Sequence, residues 1–364
     1  MHMRCQLSLC TAFLAVTLLA SLPGAPVFAA AEVNNLYEAE INVVDKDPRV
    51  RTQAFGLALL QVAIKVSGRR GAAANPVIVE AATNPSRYVQ QFRYDNVAPT
   101  GTQDAPPDSP TLALWVQFDA PAVDALMREA GMPVWGRVRP SVLVLVAVES
   151  ASGRELLSSD DAGGWADFVA RIGAERAVPV VLPLMDLEDR SQLRASDVWA
   201  GFEDNVQGAA QRYQSEAVLL GRAYERVPNF WEARWRLLLE DGRHEWVDQG
   251  EGLDAVLLSG VHEGADRLAS RFGGSTTTTV ASGVEVKVAG IRSLRDYART
   301  LKYLGALDAV SRVDVTSADS DNVSFRLDAR GGRETVRQVI ALGNTLMEDG
   351  QEELNAGLSY RLKP

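Results

Sequence analysis

The stretch Val142 to Val148 is apolar without interruption, and no other feature restricts the fold as tightly. A run that short and continuous reads as a β-strand covered on both faces, the environment of a parallel sheet. A second such run, Val178 to Leu184, and a third strand, Ala217 to Tyr224, follow, with helical periodicity from Trp165 to Glu175 and from about Ser196 to Tyr213 between them. This βαβαβ order predicts a parallel sheet with right-handed crossovers. The period then changes to two: Trp231, Ala233, Trp235 and Leu237 alternate with Glu232, Arg234 and Arg236, as in a half-buried strand. Asp241-Gly242 supplies a two-residue turn, which sets Glu240 opposite Arg243 and Leu237 opposite Trp246. The tryptophans of this hairpin read as core. A helix from Leu253 to Phe272, with Leu257, Val261, Ala265 and Leu268 on one face, ends a central α/β domain over 136–273.

The flanking regions read as α+β. Over 30–135, Tyr37 to Val44 predicts a strand and Arg49 to Val66 a helix ended by Ser67-Gly68. Asn84 to Phe92 predicts a short helix, Thr111 to Phe118 a strand, and Pro121 to Ala130 another helix. Ala98 to Pro110, rich in proline, is the expected mobile loop. Gly273 to Thr279 reads as a linker, and 280–364 follow a βαββαβ order. There the strands centre on Val284–Val288, Val310–Val315, Val323–Leu327 and Leu358–Leu362; one helix carries Leu294 to Leu304, the other Val336, Val339, Ile340 and Leu346. That is the ferredoxin-like order, which hosts many functions and implies none.

Residues 1–29 have the form of a secretory signal peptide: Arg4, an apolar run from Leu7 to Leu22, a break at Pro23-Gly24, and a cleavage site near Ala29. The run is shorter than the about 20 residues of a spanning helix, and no later stretch approaches that length. No transmembrane segment is expected, and the mature chain is expected in the bacterial periplasm. Cys5 and Cys10 both lie in the leader, so the mature chain has no thiol for a disulfide, a metal or catalysis. Leu9 is too large for a lipoprotein site at Cys10. The net charge of −10, one unit more negative without Arg4, repels phosphate backbones and anionic lipid, so no nucleic-acid partner is expected.

Candidates for chemistry are few. Without His2, only His244 and His262 remain, too few for a multi-histidine metal site, and both read as structural. Ser67-Gly68-Arg69-Arg70-Gly71 lacks phosphate-loop spacing and follows a helix rather than a strand. The sharpest cluster is Asp186, Glu188 and Asp189, directly after an apolar run, with Asp160 and Asp161 in the preceding connection. Carboxylates outside the carboxyl ends of parallel strands could hold Mg²⁺ or Ca²⁺. The stronger reading is that they cap the next helix and hydrate its turn. No cofactor motif is present.

Three stretches carry a family resemblance: Arg49 to Gly68; Leu182 to Asp189 followed by Asp197-Val198-Trp199; and Ala217 to Arg222 followed by Trp235 and Trp246. On these the chain resembles bacterial exported proteins of the domain of unknown function 2066 family, which has no assigned activity. The helix, strand and hairpin are also loosely similar to small α/β docking domains of envelope assembly proteins. That looser likeness implies docking on partners; three small α/β domains, scarce histidine, no thiol and no nucleophile motif point to a non-catalytic periplasmic scaffold or accessory factor that binds envelope proteins or cell-wall material. A divalent-metal enzyme or ligand-binding protein using loop 186–189 is the alternative. Oligomeric state is not legible.

Overall fold

The computed structural model describes residues 31–96, 112–151, 153–160, 163–240, 242–273, 280–307, 309–319, 321–330, 332–343, 345–349 and 357–363. Residues 1–30 with Cys5 and Cys10, the expected loop over 98–110 and residues 274–279 of the expected linker lie outside the described residues. The protein is mixed α/β. Among the described residues, no helix is long and apolar enough to cross a membrane.

The first part comprises β1 (Ala31–Glu32), β2 (Glu38–Val43), α1 (Pro48–Ser67), α2 (Pro76–Thr83), β3 (Val89–Asn96), β4 (Leu112–Phe118), α3 (Ala120–Glu129) and β5 (Val138–Arg139). Helix α1 starts where Asp47 accepts the Arg49 N–H at 2.7 Å and Pro48 occupies the first turn. Its stripe of Phe55, Leu59, Val62 and Val66 is buried with Leu114 and Val116 of the antiparallel sheet β2-β4-β3. The helix expected over Asn84 to Phe92 is instead a 3₁₀ turn, Pro85–Tyr88, running into β3. Cross-strand pairing overrides the local pattern there: Phe92 and Tyr94 oppose Val116 and Leu114, and the Phe92 ring lies 5.2 Å from that of Phe55.

The central part comprises β6 (Val142–Ser150), β7 (Gly153–Leu156), α4 (Trp165–Glu175), β8 (Val180–Val181), α5 (Leu187–Gln192), α6 (Ala195–Ala200), α7 (Glu203–Arg212), β9 (Ala217–Val227), β10 (Phe230–Leu239), β11 (Gly242–Glu251) and α8 (Leu253–Phe272). Strand β6 is parallel to β8 and β9, and the sheet runs β11-β10-β9-β6-β7 with β8 also on β6. Three details differ from expectation. Pro179 and Pro183, unable to donate to a ladder, confine β8 to two residues. Gly201, at φ 74°, divides the long helix into α6 and α7. The hairpin pairs Leu237 with His244 rather than Trp246, and Leu239 with Gly242. That register stacks Trp235 on Trp246, centroids 6.5 Å apart, and sets Arg236 2.8 Å from Glu245. Trp235 is core, as expected.

Both sheet faces are apolar, which is what the uninterrupted run in β6 requires. Val142, Val144 and Leu219 pack with α4 and α8 on one side. Leu143, Leu145 and Leu220 pack with α6 and α7 on the other. Toward β10 and β11 this second side loses its helical cover, and Arg234, Glu245 and Val247 are exposed there.

The last part comprises β12 (Val280–Ala289), α9 (Leu294–Gly305), β13 (Val310–Ala318), β14 (Asn322–Arg330), α10 (Gly332–Ala341), β15 (Leu346–Glu348) and β16 (Leu358–Leu362), in sheet order β13-β14-β12-β16-β15. Strand β14 lies between β12 and β13, as the split pattern expects. Strand β16 is parallel to β12, however, where a ferredoxin-like sheet needs an antiparallel strand. The cause is β15, which includes Leu346: it pairs antiparallel with β16 and adds one reversal of the chain.

Two buried arginines join the N-terminal part to the central sheet. Arg139 is fully buried and Arg176 is 1% exposed. Arg139 donates to the carbonyls of Lys65 at 2.6 Å, Trp135 at 2.9 Å, Gly136 at 3.0 Å, Arg176 at 3.2 Å and Ala177 at 3.0 Å. Its guanidinium lies 4.3 Å from the Trp135 ring centre. Arg176 donates to Gly68 O at 2.6 Å, His262 O at 3.1 Å and Asp266 Oδ1 at 2.5 Å. Lys65 and Gly68 belong to the C-terminal end of α1, whose unpaired carbonyls and negative dipole favour cations. Gly68 is left-handed, φ 68°, and a Cβ there would stand 2.3 Å from the Trp135 ring and 2.6 Å from Ala269. Arg70 extends the junction, donating to Asp266 at 2.6 Å and Glu263 at 3.0 Å.

Burial, then the charges of Arg176 and Arg70, push the His262 imidazole down to about 4. The unfolded chain therefore binds a proton between pH 6.5 and 4 that the folded chain refuses, so this group's contribution is lost as pH falls through that window. Denaturant unfolding at pH 6.5, 5.5 and 4.5 should show wild-type stability dropping by on the order of 2 kcal/mol more than that of His262→Gln. Equal slopes for the two proteins would contradict this.

Candidate functional site

The acidic loop turns inward on an arginine. Asp186 caps α5 by accepting the Asp189 N–H at 3.0 Å. Asp189 is 3% exposed and accepts the Met185 N–H at 2.9 Å and the Tyr213 hydroxyl at 2.5 Å. Arg212, the last residue of α7, forks onto Asp186 at 2.6 and 3.0 Å, contacts Asp189, and lies 3.4 Å from Glu188. The Arg212 hydrogen bonds hold the Asp186 carboxyl down at about 2. Burial, then the bond to Asp189, pushes the Tyr213 phenol up to about 12. The structure thus brings Asp186, Glu188 and Asp189 together around a guanidinium. Asp160 turns back to accept the Ser158 hydroxyl at 2.7 Å, and no hydrogen bond or ion pair joins it to this cluster. Asp161 lies outside the described residues. Among the described residues no group of three or more His, Cys, Asp or Glu could hold a metal ion.

His244 is exposed on β11, and His262 faces Arg176 with Nδ1 3.2 Å from its Nη1. The two do not meet.

The second arrangement lies on the uncovered side of β9, β10 and β11. Pairing aligns three rows of side chains there: Leu220–Arg236–Glu245, Arg222–Arg234–Val247, and Tyr224–Glu232–Gln249. Glu232 is 4% exposed and accepts from Arg226 at 3.0 Å, Arg234 at 3.1 Å, Gln249 at 2.9 Å and the Tyr224 hydroxyl. The Tyr224 hydrogen bond, against the opposing effect of burial and with help from Gln249 and the arginines, holds its carboxyl at about 2. Arg236 is matched by Glu245 at 2.8 Å and Glu203 at 3.8 Å. Arg222 differs. It stands directly opposite Arg234, no described carboxylate lies within ion-pair distance, and its hydrogen bond goes to the Trp199 carbonyl at 3.2 Å.

Trp199, on α6, overhangs this face, with Arg154 over its ring at 4.1 Å and Tyr224 6.1 Å away. A cleft of about 270 Å³ results, lined among others by Trp199, Arg222, Arg234, Arg236, Glu245 and Val247. Gly201 makes room for it, since a Cβ there would fall 2.6 Å from Arg236 Nη1. Strict alternation in β10 already places Arg234 and Arg236 on one face. The partner of that face, Arg222, follows only from the register with β9, which carries no local signal.

A family model, a domain of unknown function (DUF8605), matches residues 30–136. This corrects the expected resemblance to the domain of unknown function 2066 family, because the model that matches is a different one. No curated protein and no solved structure matches the chain, so the looser likeness to envelope assembly domains has no support either.

With Arg212 at the centre of the acidic loop, added Mg²⁺ or Ca²⁺ should leave the melting temperature unchanged. Arg212→Gln should lower it by leaving three facing carboxylates without their cation. An ion held there would stabilise the wild type by about 2.7 kcal/mol at a hundredfold excess over its dissociation constant. A rise of that size would contradict this assignment.

Proposed function

We propose that the chain is an exported, non-catalytic binding protein of the bacterial periplasm, a scaffold or accessory factor for envelope proteins. The observation that carries this reading is the open side of β9–β11. The other charged side chains that suggest chemistry are closed on one another, the acidic loop by Arg212 and, on the open side itself, Glu232 by four donors. On the open side a cleft with an arginine that has no acid partner among the described residues faces solvent beside Val247, 54% exposed. Unmatched charge next to exposed apolar surface is the composition of a docking surface rather than of a general acid–base pair. The chain is further proposed to comprise three domains, 30–135, 136–273 and 280–364. Separate apolar cores and the family match ending at residue 136 support that division.

A photoreactive residue at position 247 in the full chain, expressed in intact cells, tests the reading. Adducts to envelope proteins should form there and not from position 79 on α2, where Val79 is 43% exposed. The protein should be released by osmotic shock and begin near Ala30. Retention with an intact Met1, or equal adduct formation at both positions, would contradict it.

A further inference from the structure

We infer that the cleft under Trp199 is a carboxylate-binding site, with Arg222 as its anion ligand and an acidic peptide segment as its occupant. This rests on the binding-protein reading above and names the chemistry of what binds. Like charges directly opposite on an antiparallel pair are destabilising, and Arg222 faces Arg234 in that way. Arg234 is relieved by Glu232, and Arg236 by Glu245 and Glu203. Among the described residues Arg222 has only the Trp199 carbonyl. The carboxylates around the cleft are already taken, Glu232 by Arg234 and Arg226 and Glu203 and Glu245 by Arg236 and Arg243, so the Arg222 guanidinium is left unmatched, and a fold that keeps such a pair has a use for it.

The geometry of a guanidinium selects the ligand class. Its planar fork matches the two coplanar oxygens of a carboxylate. Glu245 on the same wall disfavours a dianion, so a singly charged group suits the site better than a phosphate. The other walls decide the source. Val198, Trp199 and Val247 are apolar, and Phe202, next to Gly201, is 58% exposed. A sugar acid would bring hydroxyls against these surfaces, which offer them few partners. A peptide that flanks one glutamate or aspartate with apolar side chains meets charge with charge and apolar with apolar. The expected ligand is such a segment of a partner protein.

Fluorescence anisotropy on the full mature chain tests this, with a labelled Gly-Val-Phe-Glu-Val-Gly peptide and its glutamine counterpart as probes. The glutamate peptide should bind at least tenfold tighter than the glutamine one. Arg222→Gln should weaken the glutamate peptide at least tenfold and abolish the discrimination, with a melting temperature no lower than wild type because the repulsion with Arg234 is gone. Arg222→Lys keeps the charge without the fork; it should fall between the two, and carries the test if the glutamine variant does not fold. Arg312→Gln, on β13 and ion-paired only to Asp314 among the described residues, should bind as wild type. Equal binding of both peptides, no binding of either at millimolar concentration, or indifference to Arg222 would overturn the inference. Displacement by glucuronate at concentrations matching the unlabelled peptide would overturn the peptide as occupant. If position 247 still captures envelope proteins in Arg222→Gln cells while no peptide binds, this inference fails and the binding-protein reading stands. Peptide binding without any capture gives the reverse.

Discussion

The C-terminal end of α1 is closed by two arginines that belong to other elements, and the arrangement of the first two sheets depends on them. Lys65 and Gly68 present carbonyls that the helix itself cannot satisfy. Arg139, from the short strand β5, and Arg176, from the end of α4, fill them from inside the protein. Ala177 adopts a left-handed φ of 52°, and its carbonyl accepts from Arg139. A buried cation is costly unless its donors are satisfied; here carbonyls and Asp266 take the terminal nitrogens of both arginines, and Arg176 Nε is buried without a partner among the described residues. The absence of a side chain at Gly68 lets Trp135 and Ala269 close over the same point. The junction is thus polar at its centre and apolar at its rim, and its geometry is more specific than apolar contact alone would give.

The same logic, a charge closed by matched partners, recurs at Arg212 in the acidic loop, closed by carboxylates, and at Glu232 on the open sheet face, closed by donors. In each the charge is matched by the fold itself, and the groups are poorly disposed to react with anything else. Arg222 breaks that rule at the one place where the sheet runs out of helical cover. Side α6–α7 ends near β9, while α8 continues under β10 and β11 on the other side. The uncovered half of the hairpin is therefore supported from behind by Trp235, Trp246 and α8, and presents a rigid surface in front.

Much of the fold was legible from short-range pattern. The unbroken run in β6, the stripe of α1 and the period-two alternation of β10 each depend on their own residues, so they read correctly. What was missed depends on partners distant in the chain. Phe92 looked helical until β4 supplied Val116 opposite it. Asp241-Gly242 is a strong turn signal, yet the stacking of Trp235 on Trp246 and the Arg236–Glu245 pair select a register shifted by two residues. The acidic loop was visible as a cluster, but its cation, Arg212, is 26 residues from Asp186. Arg139 and Arg176 look like surface arginines, and their burial exists only because residues 74 and 108 positions away deliver carbonyls to them.

Differential scanning calorimetry of Arg139→Met beside wild type tests most directly whether the arginine junction couples the N-terminal sheet to the central one. Methionine keeps much of the apolar stem, so the change removes mainly the hydrogen bonds to the five carbonyls. Coupling through Arg139 predicts that the transition shared by these two parts in the wild type separates into two. The N-terminal part should then melt earlier and stability should fall by about 3 kcal/mol. A single transition at the wild-type temperature would contradict it.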